Sequence, residues 1–259
     1  MHAPVTQIWN HLEARLGHNP APEVSFVLPC LNEALTVSKC VSDAFKAIAI
    51  ANTFGEVIVA DNGSTDGSQA LAGEAGADVV NVRALGYGNA LMGGIFAARG
   101  RYVVMADCDL SYDLLEMPKF LKPLRQGYDL VMGCRLPGGG GVIEPGAMPW
   151  SHRYVGNPVL SGLGRWLFNT SVIDFHCGFR GFERKRVLTF DLQATGMEFA
   201  SEMVIKASLL KVRTTQVPVT LKPDGRGRSP HLRTWRDGWR HLRLMLSYAS
   251  RTIIEGRSR

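Results

Sequence analysis

The sequence predicts an α/β fold built on a doubly wound, mostly parallel sheet. Short apolar runs recur at residues 24–28, 57–60, 79–82, 102–106 and 130–132, and the stretches between them are long enough for a helix or a loop. Apolar runs alternating with helical patterns are the signature of stacked βαβ units. At 259 residues, with 46% hydrophobic and 20% charged content, the chain suits one large domain with a single core system.

Taken in order, residues 1–22 are expected to form an N-terminal helical extension. Pro4, Asn10, Glu13 and Arg15 interrupt them, so they lack the apolar stretch of a signal peptide. The first internal helix is expected over 36–50, where Val37, Val41, Ala44, Phe45 and Ile48 share a face. A second is expected to start at Asp66, a good N-cap, and to end near Gly76. Residues 138–150 open with four consecutive glycines and read as a mobile loop. Helical patterns follow at 158–168 and 198–210. The expected catalytic domain runs from 23 to 222, and 223–259 form a basic amphipathic segment. No apolar stretch reaches the roughly 18 residues of a membrane-spanning helix.

Charge and cysteines narrow the function. Lys and Arg number 29 against 23 Asp and Glu, a net +6, with much of the excess after residue 210, which points to an anionic partner. Cys30, Cys40, Cys108, Cys134 and Cys177 are odd in number and contain no C-x-x-C pair, so neither a disulfide framework nor a zinc knuckle is expected. A reducing cytoplasmic location follows. In the tail, Trp235, Trp239, Leu242 and Leu246 fall on one helical stripe beside Arg236, Arg240 and Arg243, although Gly238 weakens the helix. Such a stripe suits either contact of residues 226–250 with anionic headgroups or a helix docked on the catalytic body with its arginines in water.

Chemistry is expected beyond the carboxyl ends of the strands, where an open parallel sheet binds its ligand. The polar residues there are Asn32 and Glu33, Asp61, Asp107 with Asp109, and Arg135. Asp107 and Asp109 flank Cys108, and two hard oxygen ligands so close together suit Mg2+ or Mn2+. Asp61, at a strand end and not at a helix cap, can accept hydrogen bonds from a nucleobase edge. A nucleic-acid binding module has no use for this combination, so no nucleic acid partner is expected.

The motifs Val27-Leu-Pro-Cys-Leu-Asn-Glu33, Val59-Ala-Asp-Asn-Gly-Ser-Thr-Asp-Gly67, Gly86-Tyr-Gly-Asn-Ala90, Ala106-Asp-Cys-Asp-Leu-Ser-Tyr112, Val131-Met-Gly-Cys-Arg135 and Asp174-Phe-His-Cys-Gly-Phe-Arg180 occur in this order. Together they resemble family 2 glycosyltransferases of the GT-A fold, in particular the polyprenyl-phosphate glycosyltransferases, over residues 24–222. The resemblance implies a nucleotide-sugar donor (a GDP- or UDP-hexose) and a polyprenyl phosphate acceptor. It places Pro29, Asn32, Glu33, Asp61 and Gly63 around the nucleoside, with Glu33 on the ribose. Gly86, Gly88 and Asn89 would approach the pyrophosphate, and Asp107 and Asp109 would hold the metal. Two positions depart from the family pattern: Asn62 replaces a second Asp, and Ser111 stands where a further metal ligand sometimes occurs.

The resemblance also implies inversion in a single displacement. Asp174, next to His176, would be the base for an alcohol acceptor, whereas a phosphate acceptor needs arginines more than a base. Arg135 and Arg180 match positions near that phosphate. Glu198 and Glu202, four apart on one helix face, are assigned to substrate positioning. His176 is assigned to support or core packing and not to a metal. A soluble hydroxyl acceptor and a nucleotidyltransferase-like protein remain as alternatives, and lipid acceptors would place the protein peripherally at the inner membrane face.

Overall fold

The computed structural model describes residues 21–227 and 234–257, so the expected helical extension before residue 21 lies outside the described residues. Val- and Ile-rich runs that are buried on both faces form parallel strands, as such runs require. The strands β1 (Val24–Cys30), β2 (Gly55–Asp61), β3 (Asp78–Asn81), β4 (Tyr102–Met105), β5 (Leu130–Cys134), β7 (Arg180–Glu183) and β8 (Thr214–Pro218) build one sheet in the order β3-β2-β1-β4-β7-β5-β8. All neighbouring pairs are parallel except those of β7, which runs antiparallel to β4 and β5. A short parallel pair, β6 (Val142–Ile143) with β9 (Thr220–Leu221), stands beside it.

The strand order reverses between β1 and β4. Val27 pairs with Met105 and Cys30 with Asp61, so the residues following all three strands emerge at one edge. This is the switch-point crevice where open α/β sheets bind ligands.

Helices cover both faces. On one side α1 (Val37–Ile50) and α4 (Pro118–Arg125) bury Val41, Ala44, Phe120 and Leu124 against the sheet, with α2 (Ser68–Glu74) beside α1. On the other, α3 (Tyr87–Ala97) and α7 (Phe199–Leu209) bury Leu91, Ile95, Met203 and Val204. Further along lie α5 (Asn157–Phe168), α6 (Arg184–Leu188) and the long α8 (Thr234–Arg257).

The five apolar runs all became strands; four gained one or two residues at a flank, and the third and fourth lost their last residue. Helix α2 starts two residues after Asp66, with Gly67 at the cap position; Asp66 bridges instead from Ser68 to the Ala34 amide. Residues 138–150 are hydrogen-bonded and not the loose loop their composition suggests. Gly139, Gly140 and Gly141 amides donate to Leu136 and Pro137 carbonyls, and β6 pairs with β9. Strands β7 and β8 and helix α3 were not read from the sequence. The signals were obscured by motif residues in β7, the lack of an apolar run in β8, where Gln216 and Pro218 flank a single valine, and three glycines in α3.

Helix α8 runs through Gly238 and packs on α5 and α7. Its inward residues are Asp237, His241 and Met245, one to two turns apart on the face opposite the Trp239–Leu246 stripe. His241 Nδ1 lies 2.7 Å from Ser201 Oγ, and its ring meets that of His176 edge-on at 4.6 Å. Burial pushes the His241 pKa down to about 4, and burial with the neighbouring His241 pushes His176 well below the ordinary value.

An ordinary histidine titrates near about 6.5, so between that value and about 4 the unfolded chain binds a proton that the folded chain refuses. Stability is therefore full above about pH 6.5 and declines as pH falls toward about 4, by roughly 3 kcal/mol for His241 alone. Urea denaturation of His241→Asn across this range is expected to show a shallower decline than the parent protein.

Candidate active site

The loops after β1 and β2 are laced together. The Asn32 amide donates to Ser64 Oγ at 2.8 Å, the Thr65 amide to Asn32 Oδ1 at 2.8 Å and the Glu33 amide to Ser68 Oγ at 2.8 Å. Thr36 Oγ1 donates to the Cys108 carbonyl at 2.7 Å, tying the start of α1 to the loop after β4. Pro29 stands at the end of β1 opposite Ala60. Asn32, Glu33, Asp61, Asp107 and Asp109 therefore sit on one braced edge.

Asp61 is 1% exposed. Its Oδ2 accepts from the Gly63 amide (3.0 Å), the Ser64 amide (3.1 Å) and Gln69 Nε2 (2.7 Å), whereas the buried Oδ1 has no partner among the described residues. Leaving a buried acceptor unpaired is costly, and an orphan of this kind marks a place where a ligand donor fits.

Asn62 explains its own departure from the family pattern. Its Nδ2 donates to the Val82 and Ala84 carbonyls at 3.0 and 2.8 Å, and its Oδ1 accepts from the Gly86 amide at 2.7 Å. An aspartate could not donate to the two carbonyls.

The two carboxylates after β4 are crowded. Asp107 Oδ1 accepts from Tyr87 at 2.9 Å, and burial followed by repulsion from Asp109 pushes the Asp107 pKa up to about 6. Asp109 is 4% exposed; its Oδ1 accepts from the Ser111 amide at 2.9 Å, and its Oδ2 pairs with Arg226 Nη2 at 2.6 Å. Arg226 also faces Glu33 and Asp224 at 3.6 Å each. A pair of hard oxygen donors that disfavours its own second negative charge fits a divalent cation. Among the described residues no third acidic, His or Cys side chain joins them, as expected where substrate phosphates and water complete the shell of a small cation.

Gly178 lies against this pair, since a Cβ there would stand 2.6 Å from Asp107 Oδ2. Its amide donates to Tyr112 Oη at 2.9 Å.

Several expected site residues are spent elsewhere. Gly86 and Gly88 are glycines because the chain at 194–195 crosses them: a Cβ would sit 2.2 Å from the Thr195 carbonyl oxygen at Gly86 and 2.1 Å from that of Ala194 at Gly88. The Gly86 amide donates to Asn62, and those of Gly88 and Asn89 to the Thr195 carbonyl, so these amides do not face a pyrophosphate here. Asn89 Nδ2 donates to the Leu85 carbonyl.

Arg180 is fully buried and donates to the backbone carbonyls of Cys177, Ala200 and Phe175 at 2.7–2.8 Å. It braces the chain and does not reach an acceptor. Glu202 accepts from the Gln193 and Ala194 amides and from Tyr248, and Glu198 pairs with Arg240 at 2.6 Å. Both glutamates hold the 191–196 loop and α8 in place, and Glu198 keeps a buried Oε2 without a partner among the described residues.

Asp174 is fully buried and grips Arg135 through its amide (3.0 Å), Nε (2.8 Å) and Nη2 (2.8 Å). Burial alone would raise its pKa, but the Arg135 charge and hydrogen bonds outweigh burial and hold it below the usual carboxylate range. A carboxylate so engaged is a poor proton acceptor, which removes it from the role of base. It serves to aim Arg135, itself 7% exposed.

Sequence reading missed three residues: Tyr87 and Gly178, which lay inside quoted motifs, and Arg226, which is one arginine among many in its segment. Only the fold could single it out, because the Gly225 amide donates to the Asp109 carbonyl and the Lys222 amide to that of Ser111, turning residue 226 inward.

Replacing Asp174 with Asn leaves Arg135 buried without a counter-charge. Chemical denaturation is expected to show a loss of about 3–5 kcal/mol; unchanged stability would return Asp174 to the list of candidate bases.

Residues 25–188 match the family described as Glycosyl transferase family 2. The low-salt glycan biosynthesis hexosyltransferase Agl6 of Haloferax volcanii is 40% identical over 87% of this chain, which spans 54% of that relative's length. The glycosyltransferase AglJ of the same organism is 34% identical over 85% of this chain and 70% of its own. A dolichyl-phosphate hexose transferase, also from Haloferax volcanii, is 28% identical over 76% of this chain and 82% of its own. Among solved structures, glucosyl-3-phosphoglycerate synthase from Mycobacterium tuberculosis in complex with Mn2+ and uridine-diphosphate-glucose superposes with a TM-score of 0.67 at 24% identity, covering 96% of this chain and 84% of the other, which shows a shared fold. With its motifs on one sheet edge and its family profile matched, the chain belongs to glycosyl transferase family 2 and has the GT-A fold.

Proposed function

We propose that this chain transfers a hexose, with inversion, from a nucleoside-diphosphate sugar to a polyprenyl phosphate, using Mg2+ or Mn2+. The observation that carries this reading is the convergence, at one switch-point edge, of an unpartnered Asp61 oxygen with the crowded Asp107 and Asp109 pair. The name of the dolichyl-phosphate hexose transferase supports the acceptor, and the Mn2+ and uridine-diphosphate-glucose complex of the fold relative supports the donor and cation.

In this reading Asp61 Oδ1 accepts a base N–H and Glu33 lies beside the ribose. Asp107 and Asp109 would hold the cation, which would supply positive charge to offset that of the departing diphosphate. Tyr87 and Gly178 fix the Asp107 carboxylate, and Arg226 supplies a second positive group beside Asp109. Asp174 orients Arg135, and the Nη1 end of the guanidinium, which Asp174 does not engage, grips the acceptor phosphate. A phosphate is already anionic at neutral pH and needs no base. The engagement of Asp174 thus favours a phosphate acceptor over a soluble hydroxyl. An enzyme using a membrane lipid would work peripherally at the cytoplasmic face.

Asp61 also bears on the base. One free acceptor matches the single imide N–H of uracil, which carbonyls flank on both sides. Guanine presents two adjacent donors, and Asp61 Oδ2 already receives three. An unpaired donor costs about 1–3 kcal/mol, so titration calorimetry is expected to show UDP binding about tenfold or more tighter than GDP. Gln69→Ala, which frees part of Oδ2, is expected to narrow the gap.

The activity test is nucleoside diphosphate release from UDP- and GDP-sugars with Mn2+, with and without a short polyprenyl phosphate. Lipid-stimulated release, lost in Asp109→Ala and shifted to a higher acceptor KM in Arg135→Ala, is expected. Donor-dependent release indifferent to the lipid phosphate would favour the hydroxyl acceptor.

A further inference from the structure

Helix α5 buries one face and leaves the other bare, and the π-helical turn before it (His152–Gly156) buries no residue fully. Ser161 and Phe168 face inward, and Gly164 lies so close to the Phe175 ring that a Cβ would stand 2.6 Å from it. On the outside Trp150, Tyr154, Val155, Val159 and Trp166 are 49–79% exposed. Trp150 and Tyr154 lie with ring centroids 5.6 Å apart, and the Arg153 guanidinium sits 5.3 Å from the Tyr154 ring centre. Large exposed apolar patches on a folded domain mark interaction surfaces.

Charge identifies the occupant. Residues 145–173 contain no Asp or Glu, although they include Arg153 and Arg165. A surface of exposed tryptophans and tyrosine with arginines among them and no carboxylates complements the headgroup region of an anionic bilayer, where aromatic rings sit between water and acyl chains and arginines meet phosphates. A second copy of the chain docked isologously would set this same carboxylate-free patch against itself, leaving Arg153 and Arg165 with no acidic partner from 145–173, which disfavours a dimer. Helix α8, packed against α5, presents Trp239 and Leu246 to solvent with Arg236 and Arg243 also exposed, while Arg240 is turned inward to Glu198.

His152, within this surface, is held below the ordinary histidine pKa by burial first and then by the charge of Arg135.

We propose that the outer face of α5 and its preceding turn, from Trp150 to Trp166, is the surface by which this protein docks on an anionic lipid bilayer. The purpose of the docking rests on the lipid-phosphate reading above: it would bring Arg135 to the headgroup level, where a polyprenyl phosphate is found. The contact itself is independent of donor and acceptor.

The test is co-sedimentation of the full chain with vesicles of phosphatidylcholine alone and of phosphatidylcholine with phosphatidylglycerol, without nucleotide or polyprenyl phosphate. Sedimentation with the anionic vesicles, weakened by salt and reduced about tenfold or more in the Trp150→Ala/Trp166→Ala variant, is expected. Arg165→Glu should weaken it as well, with both variants keeping the parent melting temperature. Equal, weak sedimentation with both vesicle types would overturn the proposal. So would vesicle binding unchanged by the tryptophan replacements, or a dimer in sedimentation equilibrium that Trp166→Glu dissociates. Because the vesicles carry no acceptor, a failed polyprenyl phosphate assay leaves this result standing, and failed docking leaves that assay standing.

Discussion

The structure depends on a local excess of negative charge that the fold itself creates. Strand β4 delivers Asp107 and Asp109 to the same edge at which β1 delivers Glu33, and burial with mutual repulsion keeps Asp107 reluctant to ionise. Arg226 partly neutralises the cluster through Asp109 and Glu33. Its guanidinium is drawn in by backbone bonds from Lys222 and Gly225 to the loop after β4. On the proposed function, a crevice poised in this way would take a cation together with a diphosphate in preference to either alone, because each would supply the charge that the other lacks.

Much of the surrounding architecture holds that pair in place from a distance. Glu202 fixes the Gln193 and Ala194 amides, and the carbonyls of Ala194 and Thr195 then lie over Gly86 and Gly88. Between those glycines stands Tyr87, whose hydroxyl reaches Asp107. On the opposite side Tyr112 receives the Gly178 amide, and Gly178 in turn borders Asp107. Residues that a motif comparison would assign to substrate thus act through the backbone, and packing alone accounts for the absence of side chains at 86, 88 and 178.

The parallel sheet and its switch-point edge were legible because buried strands have a distinctive composition and the switch-point rule picks out the residues that follow the strand ends. Asp61, Asp107 and Asp109 fell out of that rule directly. Arg180, Asp174, Glu198 and Glu202 were placed less well, since a sequence shows that a charge is present but not which charge or carbonyl lies opposite it. Arg180 became a buried brace because β7 runs antiparallel through the middle of the sheet, a topology with no signal in the local pattern. In α8 the aromatic stripe was legible, but the docking face was not: Asp237, His241 and Met245 do not form an apolar run, and His241 is buried only because Ser201 and His176 receive it.

The most direct test of the central claim is Mn2+ binding followed by electron paramagnetic resonance of the free ion, with and without UDP, in the parent protein and in Asp109→Asn. The account predicts weak Mn2+ binding that UDP strengthens about tenfold or more in the parent protein and that Asp109→Asn abolishes in both conditions. Mn2+ binding that is indifferent to UDP, or that survives the loss of Asp109, would contradict it.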